Sequence, residues 1–177
     1  SARVIATTVG PYALYGDALV KACAENGTDY CDLCGEAYWI KRMILQYGDV
    51  AKKSGARIVS CCGFDSIPSD LGVHFLQQQG KQRYGSHFKS IKLAVNAMKG
   101  GASGGTLASM IEAVKAAKAD PVLRKEMNNP YVLCPEQASF KQNQISIKTP
   151  TYDEDFQAWS APFIMEAINA RVVLRSN

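Results

Sequence analysis

Short apolar runs alternate with longer amphipathic segments through the first part of the chain. The apolar runs Arg3–Val9, Tyr30–Leu33 and Arg57–Cys62 have the length and composition of buried strands. The segments between them have helical spacing. The first begins near Asp17, a good N-cap, and ends at Gly27, and the second begins at Ala37 and ends at Gly55. This alternation predicts a parallel β-α-β-α-β unit with right-handed crossovers, which is part of a doubly wound α/β fold.

After the third predicted strand, a predicted helix leads into a more polar stretch of sequence. A helix, Pro68–Gln79, is predicted with Pro68 in its first turn and Asp70 close behind, where an acidic side chain favours a helix N-terminus. The polar, glycine-containing stretch Gln77–Ser86 then predicts a boundary. We therefore expect one domain over residues 1–80 and a second over residues 86–177.

The second half predicts a mixed α+β domain that is incomplete. Lys89–Met98 alternates apolar and polar residues like a half-exposed strand, and Ile145–Lys148 is a second candidate strand. A helix capped by Thr106 is expected to turn an apolar face inward, and Asp120-Pro121 opens a short helix that stops at Asn128. A last helix is predicted to start at Ser160-Ala161-Pro162. The inward face consists of Leu107, Met110, Ile111 and Val114.

Composition narrows the classes of function. Twenty Lys and Arg face sixteen Asp and Glu, and the basic residues are scattered, so we expect no nucleic-acid partner. No apolar stretch is long enough to cross a bilayer, and residues 1–9 lack the form of a secretion signal, so the expected location is the cytoplasm. The spacing of the six cysteines favours buried, reduced thiols over a disulfide or a metal site.

Candidate chemistry lies in the three loops that follow the predicted strands. Doubly wound sheets bind ligands at the carboxyl ends of their strands, and these loops are Gly10–Gly16, Cys34–Glu36 and Gly63–Ser69. Their glycines would let a ligand approach the backbone, although glycine is also ordinary in such turns. No G-x-G-x-x-G motif follows any of the strands, so a dinucleotide pyrophosphate cannot be placed on this sequence.

Several segments, in the same order and at similar spacing, resemble the saccharopine dehydrogenase-like oxidoreductases, in the branch that includes trans-acting enoyl reductases of lipid biosynthesis. The resemblance covers nearly the whole chain and is specific for the family, not for a substrate. The segments are Thr8–Gly16, Asp32–Glu36, Cys62–Gly72, Gly100–Thr106, Trp159–Phe163 and Ile168–Val173.

This resemblance implies a partial Rossmann domain followed by part of an α+β domain for substrate binding and dimerisation. Ser1 would precede the fourth strand of the Rossmann sheet, so the fingerprint would lie upstream. NAD or NADP would be the cofactor, with a small-molecule or lipid-derived substrate and a homodimer formed through the second domain. The residues implied on the nicotinamide and ribose side are Val9, Gly10, Pro11, Tyr12, Gly63, Phe64 and Asp65.

Individual residues keep two interpretations each. Tyr12 could donate a proton or pack its ring, and Asp65 could act as an acid or base or serve a helix terminus. Lys99 could polarise a carbonyl or be a solvated lysine, and Glu36 could contact a ribose or cap a helix. Because no acid-base pair stands out, a non-catalytic relative acting as an assembly module is the alternative function.

The turn before the second-domain helix is the candidate substrate site. Ser103, Gly104, Gly105 and Thr106 could hold an anionic or polar substrate group, because free backbone N–H groups and the helix dipole would converge there. The competing interpretation is a plain helix cap, with Thr106 bonding the first turn.

Overall fold

The computed structural model describes residues 2–101, 103–135 and 142–177. Its main sheet has three strands, β1 (Val4–Thr7), β2 (Asp29–Asp32) and β3 (Ile58–Val59), in the order β1-β2-β3. Both pairings are parallel, with Val4 beside Asp29 and Tyr30 beside Ile58. The predicted parallel β-α-β-α-β arrangement is confirmed, with β1 and β3 shorter than predicted.

Four helices accompany these strands. They are α1 (Tyr12–Tyr15), α2 (Asp17–Asn26), α3 (Ala37–Ser54) and α4 (Ile67–Tyr84). Gly27 and Gly55 end α2 and α3 in the left-handed conformation, with φ of 67° and 81°, as expected of C-terminal glycines. The single turn of α1 was predicted only as a turn.

Asp17 does not cap α2, contrary to the prediction. Gly16 occupies the cap position, and the Asp17 carboxylate instead accepts hydrogen bonds from Trp39 Nε1 and Arg42 Nη2, each at 2.7 Å. Gly16 itself leaves no room for a side chain, because an added Cβ would lie 2.5 Å from Trp39 Cζ2. The carboxylate is thus used to dock α2 on α3, a tertiary contact that local sequence does not reveal.

Helix α4 runs through most of the predicted boundary. It continues to Tyr84 and ends at Gly85, which has a φ of 72°. The break predicted across Gln77–Ser86 is therefore wrong up to residue 84, because the polar residues there belong to an exposed helix rather than a linker. The division into two domains stays a prediction.

The described part of the second half contains three helices and a hairpin. The helices are α5 (Gly104–Ala119), α6 (Pro121–Met127) and α7 (Glu166–Ser176), and the antiparallel hairpin joins β4 (Thr151–Asp153) to β5 (Ala158–Ser160). The short helix predicted at Asp120-Pro121 is confirmed, with the Asp120 carboxylate accepting from the N–H groups of Val122 and Leu123.

Other predictions for this half are wrong. Neither Lys89–Met98 nor Ile145–Lys148 is a strand, because alternation needs a neighbouring strand to pair with and none lies beside them in the described ranges. Ser160 ends β5, and the last helix begins only at Glu166. Ser1, Ala102 and residues 136–141, the last within a stretch predicted to be largely irregular, lie outside the described residues.

The hydrophobic core lies between the sheet and its helices. Tyr30 and Trp39 are almost wholly buried there, and Val132, Leu133 and Ile168 join it from the second half. The predicted inner face of α5 is instead exposed, from 38% at Met110 to 56% at Ile111. Helix α5 contacts the first half through Ser109, on a side that carries mostly small residues such as Ala113 and Ala116.

Candidate functional site

Glu36, in the loop after β2, hydrogen-bonds to both α1 and α5. Its side chain is buried, and its two carboxylate oxygens accept the backbone N–H groups of Tyr12 and Ala13, each at 2.9 Å. The Ser109 hydroxyl of α5 donates to Glu36 Oε1 at 2.7 Å. Of its two predicted roles, the structure shows Glu36 capping a helix, but the helix is α1 rather than α3.

Tyr12 lies beneath the loop after β1. Its hydroxyl donates to the carbonyl of Thr7 at 3.2 Å and accepts from the backbone N–H of Leu33 at 3.3 Å. Burial raises the pKa of the Tyr12 hydroxyl, and its ring packs against Trp39 at 5.6 Å between centroids. The structure therefore places Tyr12 as a link between the ends of β1 and β2.

Asp32, at the end of β2, is a site residue that sequence analysis did not identify. Its Oδ1 accepts from the N–H groups of Cys34 and Cys61, at 2.9 and 3.0 Å. Its Oδ2 accepts from the hydroxyls of Tyr30 and Ser60, at 2.9 and 3.1 Å. Burial raises the pKa of the Asp32 carboxyl, while these hydrogen bonds oppose the rise.

Two thiols sit beside this carboxylate. The Cys61 thiol donates to the carbonyl of Cys34 at 2.9 Å, and Cys61 adopts a positive φ of 62° where the chain leaves β3. Burial raises the pKa of Cys61 to about 12 and also raises that of Cys34. Both thiols are uncharged at neutral pH, so neither serves as a thiolate nucleophile.

The third loop presents an exposed aromatic ring. Phe64 is 85% exposed, and Asp65 beside it is also exposed. Gly63 packs on Leu33, since an added Cβ would lie 3.0 Å from Leu33 Cδ2. Among the expected cofactor residues, the side chains of Val9, Phe64 and Asp65 are exposed. Pro11 and Tyr12 are buried.

The turn before α5 is exposed and capped. Ser103 Oγ accepts from the backbone N–H of Thr106 at 3.2 Å and lies 3.1 Å from the Thr106 hydroxyl. The cap is therefore Ser103, not Thr106 as predicted. Lys99 lies exposed just upstream. Sequence analysis did not identify Ser109, because its bond to Glu36 arises only from the docking of α5 on the first half.

One cavity borders the loop that follows β1, where Ala13 and Leu14 line it. It is an open groove of about 700 Å³ between α1 and α3 on one side and α5 and α6 on the other. Its walls carry Lys41, which bonds Glu126 at 2.6 Å, and Arg42. Among the described residues no three metal-ligating side chains converge, and no helix in them is long and apolar enough to cross a membrane.

Fold and strand-end loops together define a mixed α/β protein with a three-stranded parallel sheet. Over 99% of its length the chain is 41% identical to a protein of Mycobacterium tuberculosis named "putative trans-acting enoyl reductase". It is 39% and 37% identical to proteins named trans-acting enoyl reductase from Mycobacterium ulcerans and Mycobacterium bovis. The chain spans 43% to 44% of the length of these relatives. No family model and no solved structure matches it.

Proposed function

We propose that this chain is part of an NAD(P)-dependent oxidoreductase of the saccharopine dehydrogenase-like family, in the branch of the trans-acting enoyl reductases. The observation that carries the proposal is the similarity to proteins of that name along 99% of the chain. The parallel β-α-β-α-β arrangement supports it, because such sheets bind ligands at the carboxyl ends of their strands. In this proposal the sheet belongs to a Rossmann domain, and the pyrophosphate-binding fingerprint lies outside these 177 residues.

The loops after β1 and β3 suit the nicotinamide end of a dinucleotide. Val9 and Phe64 expose apolar side chains at the carboxyl edge, where a planar ring can pack. Gly10 and Gly63 lie in the same loops, packed close to Ser109 and Leu33. The cofactor, when bound, supplies the hydride; the chain supplies position and electrostatic environment.

The substrate class that follows is an α,β-unsaturated acyl group. Ser103, Gly104, Gly105 and Thr106 hold its carbonyl or an acidic substituent through backbone N–H groups and hydroxyls. Asp65 and Lys99, both exposed, remain the candidates for proton transfer or carbonyl polarisation. Tyr12 is a weaker candidate, because its hydroxyl is engaged with the backbone. We place the complete protein in the cytoplasm as a homodimer formed through residues 86–177.

The proposal is tested on the complete protein with NADPH and crotonyl-coenzyme A. We expect NADPH absorbance to fall in step with formation of the saturated thioester, and deuterium from 4-deuterated NADPH to appear in the product. The Phe64→Ala variant should raise the cofactor KM about tenfold at unchanged thermal stability. The matched control is Phe75→Ala, which removes the ring of another exposed phenylalanine, on α4. Failure to oxidise NADPH or NADH with enoyl, keto or imine substrates would contradict the proposal.

One observation favours the alternative, a non-catalytic relative that serves as an assembly module. The polar groups gathered at the strand ends, on Tyr12, Asp32 and Glu36, are all engaged by structural hydrogen bonds. Under this alternative the complete protein binds a partner protein and turns over no reduced cofactor.

A further inference from the structure

We propose that Glu36 is a positioning residue that sets the substrate helix α5 against the cofactor loop after β1. The inference rests on the proposed function and deepens it. It follows from one carboxylate that bonds both elements: the backbone of α1 through Tyr12 and Ala13, and α5 through Ser109.

On the cofactor side, Glu36 fixes the backbone that follows Pro11. No side chain of α1 itself or of Pro11 caps this helix, and its first N–H groups are received by the Glu36 carboxylate. Because both oxygens are used and the side chain is buried, the bonds are charge-assisted and shielded from water. The position of the loop Val9–Tyr12 is therefore set by a residue at the end of β2.

On the substrate side, the same carboxylate holds α5 near its beginning. Ser109 is six positions after the cap residue Ser103, less than two helical turns away. Its hydroxyl oxygen would also lie 3.5 Å from a Cβ added to Gly10, so α5 packs close to the cofactor loop. Any tilt of α5 around Ser109 moves the Ser103–Thr106 turn relative to that loop.

A second polar contact, between α3 and the helix α6 that follows α5, constrains the geometry less than the Glu36–Ser109 bond does. Lys41 of α3 bonds Glu126 of α6, but both side chains are partly solvent-exposed, at 29% and 40%. Exposed ion pairs of this kind fix geometry poorly, because water and salt compete for them. The Glu36–Ser109 bond is thus the better constraint on where the substrate turn sits.

The reaction makes this distance matter. Hydride transfer requires donor and acceptor carbons at near-contact distance, and displacements of about 1 Å can cost on the order of a hundredfold in rate. A residue that holds both binding elements at once should therefore affect kcat without touching substrate or cofactor.

The test uses Glu36→Gln, Ser109→Ala and the double variant in the complete protein, with Ser90→Ala, an exposed serine, as control. Ser109→Ala leaves the Tyr12 and Ala13 bonds in place, so we expect unchanged cofactor KM and about tenfold lower kcat/KM for crotonyl-coenzyme A. Glu36→Gln should raise cofactor KM as well. The double variant should be no worse than Glu36→Gln alone, because the two residues share one contact.

Hydrogen exchange read by mass spectrometry gives a readout that needs no catalysis. Glu36→Gln should speed exchange about tenfold both in the peptide around Tyr12 and in the first turns of α5, whereas Ser109→Ala should do so only in α5. If both variants lower the melting temperature while kinetics and local exchange match Ser90→Ala, the positioning role is overturned. If exchange changes as expected but no variant or parent turns over NADPH, the coupling stands and the proposed function fails.

Discussion

At the residue scale, the backbone at the carboxyl end of β2 is held by a buried carboxyl group, that of Asp32. Asp32 is 1% exposed and accepts four hydrogen bonds, two from backbone N–H groups and two from hydroxyls. The N–H donors cannot reverse, but the hydroxyls of Tyr30 and Ser60 can accept as well as donate. An asparagine at this position can therefore preserve all four bonds, with its oxygen toward the backbone and its NH₂ toward the hydroxyls.

Substitutions of Asp32 should separate charge from hydrogen bonding. Asp32→Ala leaves two buried N–H groups unpaired and should lower the free energy of unfolding by about 3 kcal/mol or more. Asp32→Asn should change it by less than about 1 kcal/mol at neutral pH. Equilibrium urea unfolding measures both, and equal losses for the two variants would contradict this account.

The same pair of proteins tests the pH dependence. The folded-state pKa of Asp32 is raised, so the folded state holds its proton to higher pH than the unfolded state, whose pKa is about 3.9. Wild-type stability from this group should fall as the pH rises from the unfolded pKa through the folded pKa, and stay at the lower level above it. Asp32→Asn should remove that fall, as urea midpoints at stepped pH would show.

At the element scale, substitutions at the start of α5 can distinguish a role in stability from a role in substrate binding. Since Ser103 receives the Thr106 N–H, Ser103→Ala should destabilise the protein by about 1 kcal/mol. Thr106→Ala keeps that bond, so its effect on folding should be smaller. If the turn cradles substrate, Thr106→Ala raises the KM for substrate well beyond any change for cofactor. Unchanged substrate kinetics in Thr106→Ala, together with a melting temperature lowered in Ser103→Ala, would make the turn a plain cap.

At the scale of the whole molecule, the core joins both halves of the chain. Val132, Leu133 and Ile168 lie buried among residues of the first half. Ser66, at the N-cap position of α4, donates its hydroxyl to Asn169 Oδ1 of α7 at 3.2 Å. The accessible surface of 12278 Å² exceeds the roughly 8400 Å² expected for a compact chain of this mass. The apolar side chains on the exposed face of α5 contribute to this surface.

A chain restricted to residues 2–85 tests the two-domain prediction. Losing three buried aliphatic side chains removes on the order of 5 kcal/mol or more, comparable with the whole stability of a small domain. We expect such a chain to lack a cooperative urea transition and near-ultraviolet circular dichroism. A sharp transition equal in midpoint to that of the full chain would instead support an independent domain over residues 1–80.

Local sequence determined the first half of this protein well. Strand order, parallel pairing and the bounds of α3 follow from apolar runs, helical periodicity and glycines that take left-handed conformations at helix ends. The short helix after Asp120 follows from a side-chain cap and a proline, whose effects act within four residues. These signals are reliable because each depends on residues that are neighbours along the chain.

Only the tertiary structure decided which polar groups met. Asp17, predicted to be a cap, binds Trp39 and Arg42 instead. Tyr12, for which a proton donor and a packed ring were both open, packs its ring and links two strands through its hydroxyl. Glu36 and Ser109 meet across 73 positions. Alternation at Lys89–Met98 produced no strand, because a strand exists only with a partner to receive its hydrogen bonds. Such contacts depend on how helices dock, which local patterns do not encode.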